Sequence, residues 1–264
     1  TGMGIKHLRE LQRYKKDAIR MDTIPVDTTI FNENVKPVSK KKDKFTFFSP
    51  QRMGLEKGMD VIWKALPLCK SDFDVLQVNW FDERTLEEKK IKNEYLEKKP
   101  HQIKLIPMIK MEEMPNYYAF ADAVLGQMRS GGVGGIEREA AYCKRPVLSY
   151  NDTERKYLVN DIELISTYLP NMPGPENLAK IIDKIVEDAE FREQLKNIEY
   201  NFVKKISDPN KCAEIWDDLF VKVCSNGGTI HRKSSKIVKK FNNLSIYLGE
   251  KFIYNKRWAK KKTR

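Results

Sequence analysis

The chain has 264 residues, 41% of them hydrophobic and 10% aromatic, which is enough for a sizeable core in one large domain or one domain with appendages. No uninterrupted apolar run approaches the roughly 20 residues that span a bilayer, and the first residues lack an apolar leader core. The net charge of +12 is concentrated after Ser225, where twelve cations face Glu250 alone, leaving the rest of the chain close to neutral.

Taken in chain order, residues 1–43 read as a connector or the remnant of a preceding domain, too short for a core of their own. Thr1, rather than Met, in first place fits a fragment or a processed chain. A lysine-rich linker from Lys36 to Lys44 leads into short apolar runs that alternate with helical patterns. The runs Phe45–Phe48, Val75–Val78, Ile103–Met108, Ala123–Leu125 and Pro146–Tyr150 predict buried strands. Gly58–Leu68, Thr85–Leu96, Glu112–Ala121 and Ile136–Cys143 predict the helices between them. This βαβα order predicts an α/β domain, a doubly wound, Rossmann-like parallel sheet over residues 44–224. Pro175 opens a further amphipathic helix through Leu178, Ile181, Ile182 and Ile185, with two more over Glu190–Lys205 and Pro209–Val223. Residues 225–264 form a basic tail.

In a sheet of this kind ligands sit beyond the carboxyl ends of the strands, where the loops Ser49–Lys57 and Gly126–Gly135 fall. The second runs through Ser130-Gly-Gly-Val-Gly-Gly, four glycines in five positions, into a helix start. Glycines let a backbone approach a ligand, and the helix end adds partial positive charge, a combination suited to a diphosphate. Arg52 and Lys57 in the first loop supply cations for the same group, Arg as a fork and Lys as a point charge. Glu139, one turn into the helix, is placed to accept from vicinal sugar hydroxyls. Glu137 is a further donor-site candidate or, with Arg138, part of a solvated helix face.

Four segments in one order carry a family resemblance. They are Ile24-Pro-Val-Asp-Thr-Thr-Ile-Phe31, Phe47-Phe-Ser-Pro-Gln-Arg-Met-Gly-Leu-Glu-Lys-Gly-Met-Asp60, Met114-Pro-Asn-Tyr-Tyr-Ala-Phe-Ala-Asp-Ala-Val-Leu125 and Glu139-Ala-Ala-Tyr-Cys-Lys-Arg-Pro-Val147. Together they resemble the C-terminal, donor-binding half of glycosyltransferase family 4, the group 1 enzymes of GT-B fold, over about residues 22–224. The resemblance implies transfer of a sugar from a nucleotide diphosphate sugar to an acceptor hydroxyl, on a glycan, lipid-linked or protein acceptor. It implies Arg52 and Lys57 on the diphosphate as catalytic cations, and Gly134, Gly135, Ser130, Glu137 and Glu139 at the donor, with Glu139 on ribose. It also implies that no metal or other cofactor is needed. The resemblance departs at Gly131, where the family has a glutamate that contacts the donor sugar.

Gly134 to Leu148 is also similar to the nucleotide-binding loop of UDP-N-acetylglucosamine 2-epimerases, which share the GT-B fold and also place a glutamate on ribose. The two resemblances agree on a nucleotide diphosphate and differ on the reaction, the Arg52/Lys57 and Val26-Asp27 segments favouring the transferase. A third reading is a non-catalytic basic binding protein whose tail could take nucleic acid, whereas the transferase reading expects no nucleic-acid partner.

Asp72-Phe-Asp74 has the form of a D-x-D metal motif but falls in a turn feeding the Val75 strand, away from the ligand edge. The scattered Cys69, Cys143, Cys212 and Cys224 fit a reducing, cytoplasmic setting. In the tail, Ile237, Phe241, Leu244 and Leu248 share one helical face among lysines. Residues 232–264 therefore suit either an anionic membrane surface, on the inner face of the membrane, or packing on a further domain.

Overall fold

A computed structural model describes residues 12–14, 22–40, 43–81, 83–159, 162–168 and 174–225. Five parallel strands, β1 (Phe45–Ser49), β2 (Phe73–Val78), β3 (Ile103–Ile106), β4 (Ala123–Leu125) and β5 (Val147–Leu148), form one sheet in the order β3-β2-β1-β4-β5. The intervening helices are α1 (Met59–Ala65), α2 (Leu86–Glu97), α3 (Met114–Phe120) and α4 (Gly135–Tyr142). A hairpin of β6 (Lys156–Val159) and β7 (Ile162–Ile165) follows, then α5 (Pro175–Glu187), α6 (Ala189–Ser207) and α7 (Pro209–Ser225).

Helices cover both faces of the sheet, so its strands are apolar on both sides and lack polar alternation. In β1, Phe47 packs with Met59, Trp63, Phe73 and Ile182 on one face. Its neighbour Phe48 packs with Tyr118, Val124, Ala140 and Phe202 on the other. Local signals fix the helix starts: Thr85 and Glu88 exchange capping bonds at α2, Pro175 opens α5, and the Asp188 carboxylate accepts from Phe191 N at α6.

The segment read as a connector joins this packing from Asp22 to Phe31. Val26 and Phe31 are buried, Val26 N donates to Ser207 O at 3.2 Å, and Leu158 N donates to Asp22 Oδ2 at 2.8 Å. Asp72 and Asp74 lie at the amino end of β2, opposite the carboxyl edge of the sheet, paired with Lys44 and with Lys104. The chain divides into two compact units, Thr1–Trp216 and Asp217–Arg264. The amphipathic positions of the basic tail lie outside the described residues.

The free N–H of Val147 on edge strand β5 donates to Glu199 Oε2 of α6 at 2.7 Å. Glu199 is fully buried, and desolvation holds its carboxyl well above the ordinary value of 4.5. The folded state keeps a proton that the unfolded chain releases, so this group lowers stability as pH rises past about 4.5. Glu199→Gln keeps an acceptor for Val147 N without the titration. Its melting temperature relative to wild type should rise between pH 5 and pH 8, on a scale of about 2–4 °C per kcal/mol. An unchanged difference across that range would remove Glu199 as the source.

Candidate functional site

The order 3-2-1-4-5 places a crossover reversal between β1 and β4, and at such a reversal parallel sheets of this kind form their ligand crevice beyond the carboxyl ends of the strands. Residues 50–58 leave β1 and residues 126–134 leave β4. Gln51 is buried, and its Nε2 donates to Gly126 O at 2.6 Å. Met128 N donates to Lys57 O at 2.8 Å, and Arg129 Nη2 meets Asp60 Oδ2 of α1 at 2.6 Å. Gly58 has φ 77°, and a Cβ there would stand 2.7 Å from Met128 Cβ. Only glycine lets the two loops touch at this point.

The two cations of the first loop turn different ways. Arg52 pairs with Glu56, one turn on, and lies 6.0 Å from the centre of the exposed Trp80 ring beyond β2. Lys57 is half-buried and forms no ion pair among the described residues; its charge acts on buried Glu137 of α4. Lys57 therefore stands on the α4 side of the crevice and Arg52 on the β2 side.

Glu137 and Arg138 are both buried, which corrects the solvated-face reading. Glu137 accepts from Gln127 N at 3.2 Å and from Gly134 N at 3.0 Å, folding the glycine loop around its carboxylate. Burial pushes its pKa up, against those bonds and the charge of Lys57. A Cβ on Gly126 would fall 2.5 Å from Glu137 Oε1, so that glycine makes room for the carboxylate. Arg138 ties the N-terminal segment down, donating to Ser207 Oγ at 2.8 Å and to the carbonyls of Asp22, Ile24 and Val133. The Glu137 carboxylate is thus spent on the loop itself, as is the Gly134 N–H. Gly135, exposed at the first position of α4, presents the open helix end.

Glu139 stands beneath that end. Its Oε2 accepts from Tyr118 Oη at 2.9 Å, and its Oε1 is 3.8 Å from where a Cβ on Gly135 would be. Desolvation raises its pKa to about 7, with Tyr118 pulling down and Glu137 pushing up. Ser130 is exposed at the far end of the loop; its N–H donates to Gln127 Oε1, and its carbonyl accepts from Arg155 Nη1 at 3.3 Å. Lys57, Gly134, Gly135, Glu137 and Glu139 therefore gather on one side of the crevice, with Arg52 and Ser130 at its margins.

Several contributors carry no signal at short range in the sequence. Gln127 staples the loop, accepting from Arg129 N and Ser130 N and donating to Tyr150 O and Gly132 O. Arg155 lays its guanidinium against Gly132, where a Cβ would be 2.3 Å from Nη1. Gly131 has φ 64°, and a Cβ there would be 2.8 Å from Asp152 Cβ and 3.0 Å from Tyr150 Cε1. The departure from the family pattern is built into the backbone, since a glutamate at this position has no room.

The family model described as glycosyl transferases group 1 matches residues 31–202. The chain belongs to this family. No curated protein sequence matches it. Among solved structures, this group 1 chain is similar to sucrose-phosphate synthase from Thermosynechococcus elongatus at 17% identity and a TM-score of 0.62, covering 83% of this chain and 56% of that one. It is similar to a glycosyltransferase from Rickettsia africae at 18% identity and a TM-score of 0.63, covering 84% and 61%. A third is HepE from Anabaena in complex with UDP and glucose, at 16% identity, a TM-score of 0.57, and coverage of 76% and 55%. These likenesses establish the fold, a GT-B Rossmann-like unit. The chain spans little more than half the length of each of the three. Among the described residues no group of His, Cys, Asp and Glu is arranged for a metal ion, and no helix is long and apolar enough to cross a membrane.

Gly131→Ala should destabilise the fold, with about 1–2 kcal/mol from the left-handed backbone alone and more from the clash with Asp152. Gly135→Ala meets ordinary van der Waals distances and should leave thermal unfolding almost unchanged. Equal melting temperatures for the two variants would contradict this description of the loop.

Proposed function

We propose that this chain is the donor-binding half of a glycosyltransferase acting on a nucleotide diphosphate sugar. The observation that carries the reading is the convergence of Lys57, the start of α4 and the Glu139 carboxylate at the reversal between β1 and β4. A diphosphate needs positive charge and open amides, and a ribose needs an acceptor about one helical turn away; the crevice offers both within a few residues. The family match and the UDP and glucose in the HepE structure support it. The family match over residues 31–202 also favours transfer over epimerisation.

In the transfer, the bond between the anomeric carbon and the β-phosphate oxygen breaks while the acceptor oxygen bonds that carbon and releases its proton. Negative charge then grows on the departing nucleotide diphosphate. Lys57 and the α4 end stabilise that charge, because fixed charges aimed at a developing anion lower the barrier; Arg52, paired with Glu56 on the β2 side, takes no part in this step. Glu139 holds the ribose and so sets where the diphosphate lies. The acceptor side of the cleft would come from a second domain, in keeping with the partial coverage of the relatives.

Calorimetry of the full chain with UDP and with GDP tests this. Glu139→Ala should weaken whichever nucleotide binds by about tenfold or more, the scale of a hydrogen bond to a charged group. Lys57→Ala should weaken the diphosphate more than the monophosphate. Unchanged affinity for both nucleotides in a folded Glu139→Ala chain would refute the assignment.

A further inference from the structure

We propose that Tyr118 is a positioning residue that occupies one oxygen of Glu139 and reserves the other for a hydroxyl of the bound ligand. The inference rests on the proposed nucleotide site and names a residue that acts through Glu139 without touching the ligand.

Tyr118 lies on α3, twenty-one residues before Glu139 and on a different element. Its ring is fully buried and wedged edge-on between Phe48, centroids 5.4 Å apart, and Phe31, 6.1 Å apart. A ring held on two sides has no freedom to re-aim its hydroxyl, so the O–H stays on Glu139 Oε2 at 2.9 Å. The opposite oxygen, Oε1, points toward Gly135 at the exposed start of α4. The carboxylate is therefore divided, with one oxygen facing the core and the other facing the crevice.

The charged surroundings make this division matter. Burial and the neighbouring carboxylate hold the Tyr118 proton firmly, so Tyr118 is a donor at any ordinary pH. Glu139 is pushed up to about 7 by burial and by Glu137 on the same helix, and the Tyr118 bond opposes that rise. Cys143, at the end of α4, is buried close by, and its thiol is pushed up to about 12, so it stays neutral. Lys57 from the β1 loop acts on Glu137 and draws that carboxyl downward. Without the tyrosine hydroxyl, Glu139 loses a hydrogen bond that favours its ionised form, and its protonation moves to higher pH. A protonated Glu139 accepts a ligand hydroxyl less strongly than a carboxylate does.

The test is calorimetry on the full chain with UDP and 2′-deoxy-UDP, and with GDP and 2′-deoxy-GDP, from about pH 5.5 to about pH 9. The wild-type chain should prefer the ribose form, and that preference should grow as pH rises through about 7. In Tyr118→Phe the preference at neutral pH should fall by about tenfold, the scale of a bond to a charged group, and its midpoint should move upward. Affinity for the deoxy form should change little. A folded Tyr118→Phe chain with the wild-type midpoint and the wild-type preference overturns the inference.

Glu139→Gln supplies a second arm, since its amide oxygen still accepts from Tyr118. It should make the ribose preference independent of pH, and a preference that still rises through neutrality overturns the inference even if Tyr118→Phe does not fold. Binding of neither UDP nor GDP by the wild-type chain overturns the nucleotide reading itself. Binding with an intact preference in Tyr118→Phe overturns only the role of the tyrosine.

Discussion

A buried carboxylate inside a loop of glycines is the constraint on which the rest of the crevice depends. Glu137 has almost no access to water, and an isolated buried charge is strongly unfavourable unless hydrogen bonds answer it. The amides of Gln127 and Gly134 do so, and in doing so they bend residues 126–134 back over the start of α4. Gly126 is glycine because the carboxylate occupies the space a Cβ would need, and Gly58 is glycine because the neighbouring loop must close against Met128. Lys57 forms no ion pair among the described residues, and it stands close enough to draw the Glu137 carboxyl downward, beside the open helix end. The fold therefore uses one acid to shape the loop, while a second, Glu139, keeps one oxygen toward the exposed start of α4, where the proposed reading puts the ligand.

Much of the framework was legible because parallel strands covered on both faces are continuous apolar runs. Ala123–Leu125 is read to the residue, and Phe45–Ser49 and Phe73–Val78 extend the expected strands only at their ends. The errors have local causes. The third strand stops at Ile106 because its ladder partner β2 stops at Val78 and Pro107 has no N–H to continue it. The expected strand Pro146–Tyr150 contracts to Val147–Leu148 because Tyr150 N donates instead to Gln127 O of the glycine loop. Helix 58–68 is split by Pro67, which takes its last turn into a 3-10 form. The β6–β7 hairpin went unread: Ile162 and Ile165 are exposed, so its pattern lacks the alternation that marks a half-buried strand.

That Lys57, Gly134 and Glu139 come together was legible from spacing, whereas what depends on burial was not. Glu137 and Arg138 look like any exposed acidic and basic pair in the sequence; only the packed structure shows one shaping the glycine loop and the other anchoring Asp22 and Ile24. Tyr118 reaches Glu139 across two elements, a contact that no local pattern encodes. Gly131 was visible as a departure, whereas its cause, the close approach of Tyr150 and Asp152, belongs to the loop after β5. A polar residue's role is set by what surrounds it, and sequence periodicity reports the surroundings of apolar residues far better.

The most direct measurement is a crystal structure of the full chain soaked with UDP or GDP. The diphosphate should lie between Lys57 and the first residues of α4, with a ribose hydroxyl within hydrogen-bond reach of Glu139 Oε1. A nucleotide seated elsewhere, for instance at the amino end of β2 beside Asp74, with the crevice between β1 and β4 empty, would contradict this placement.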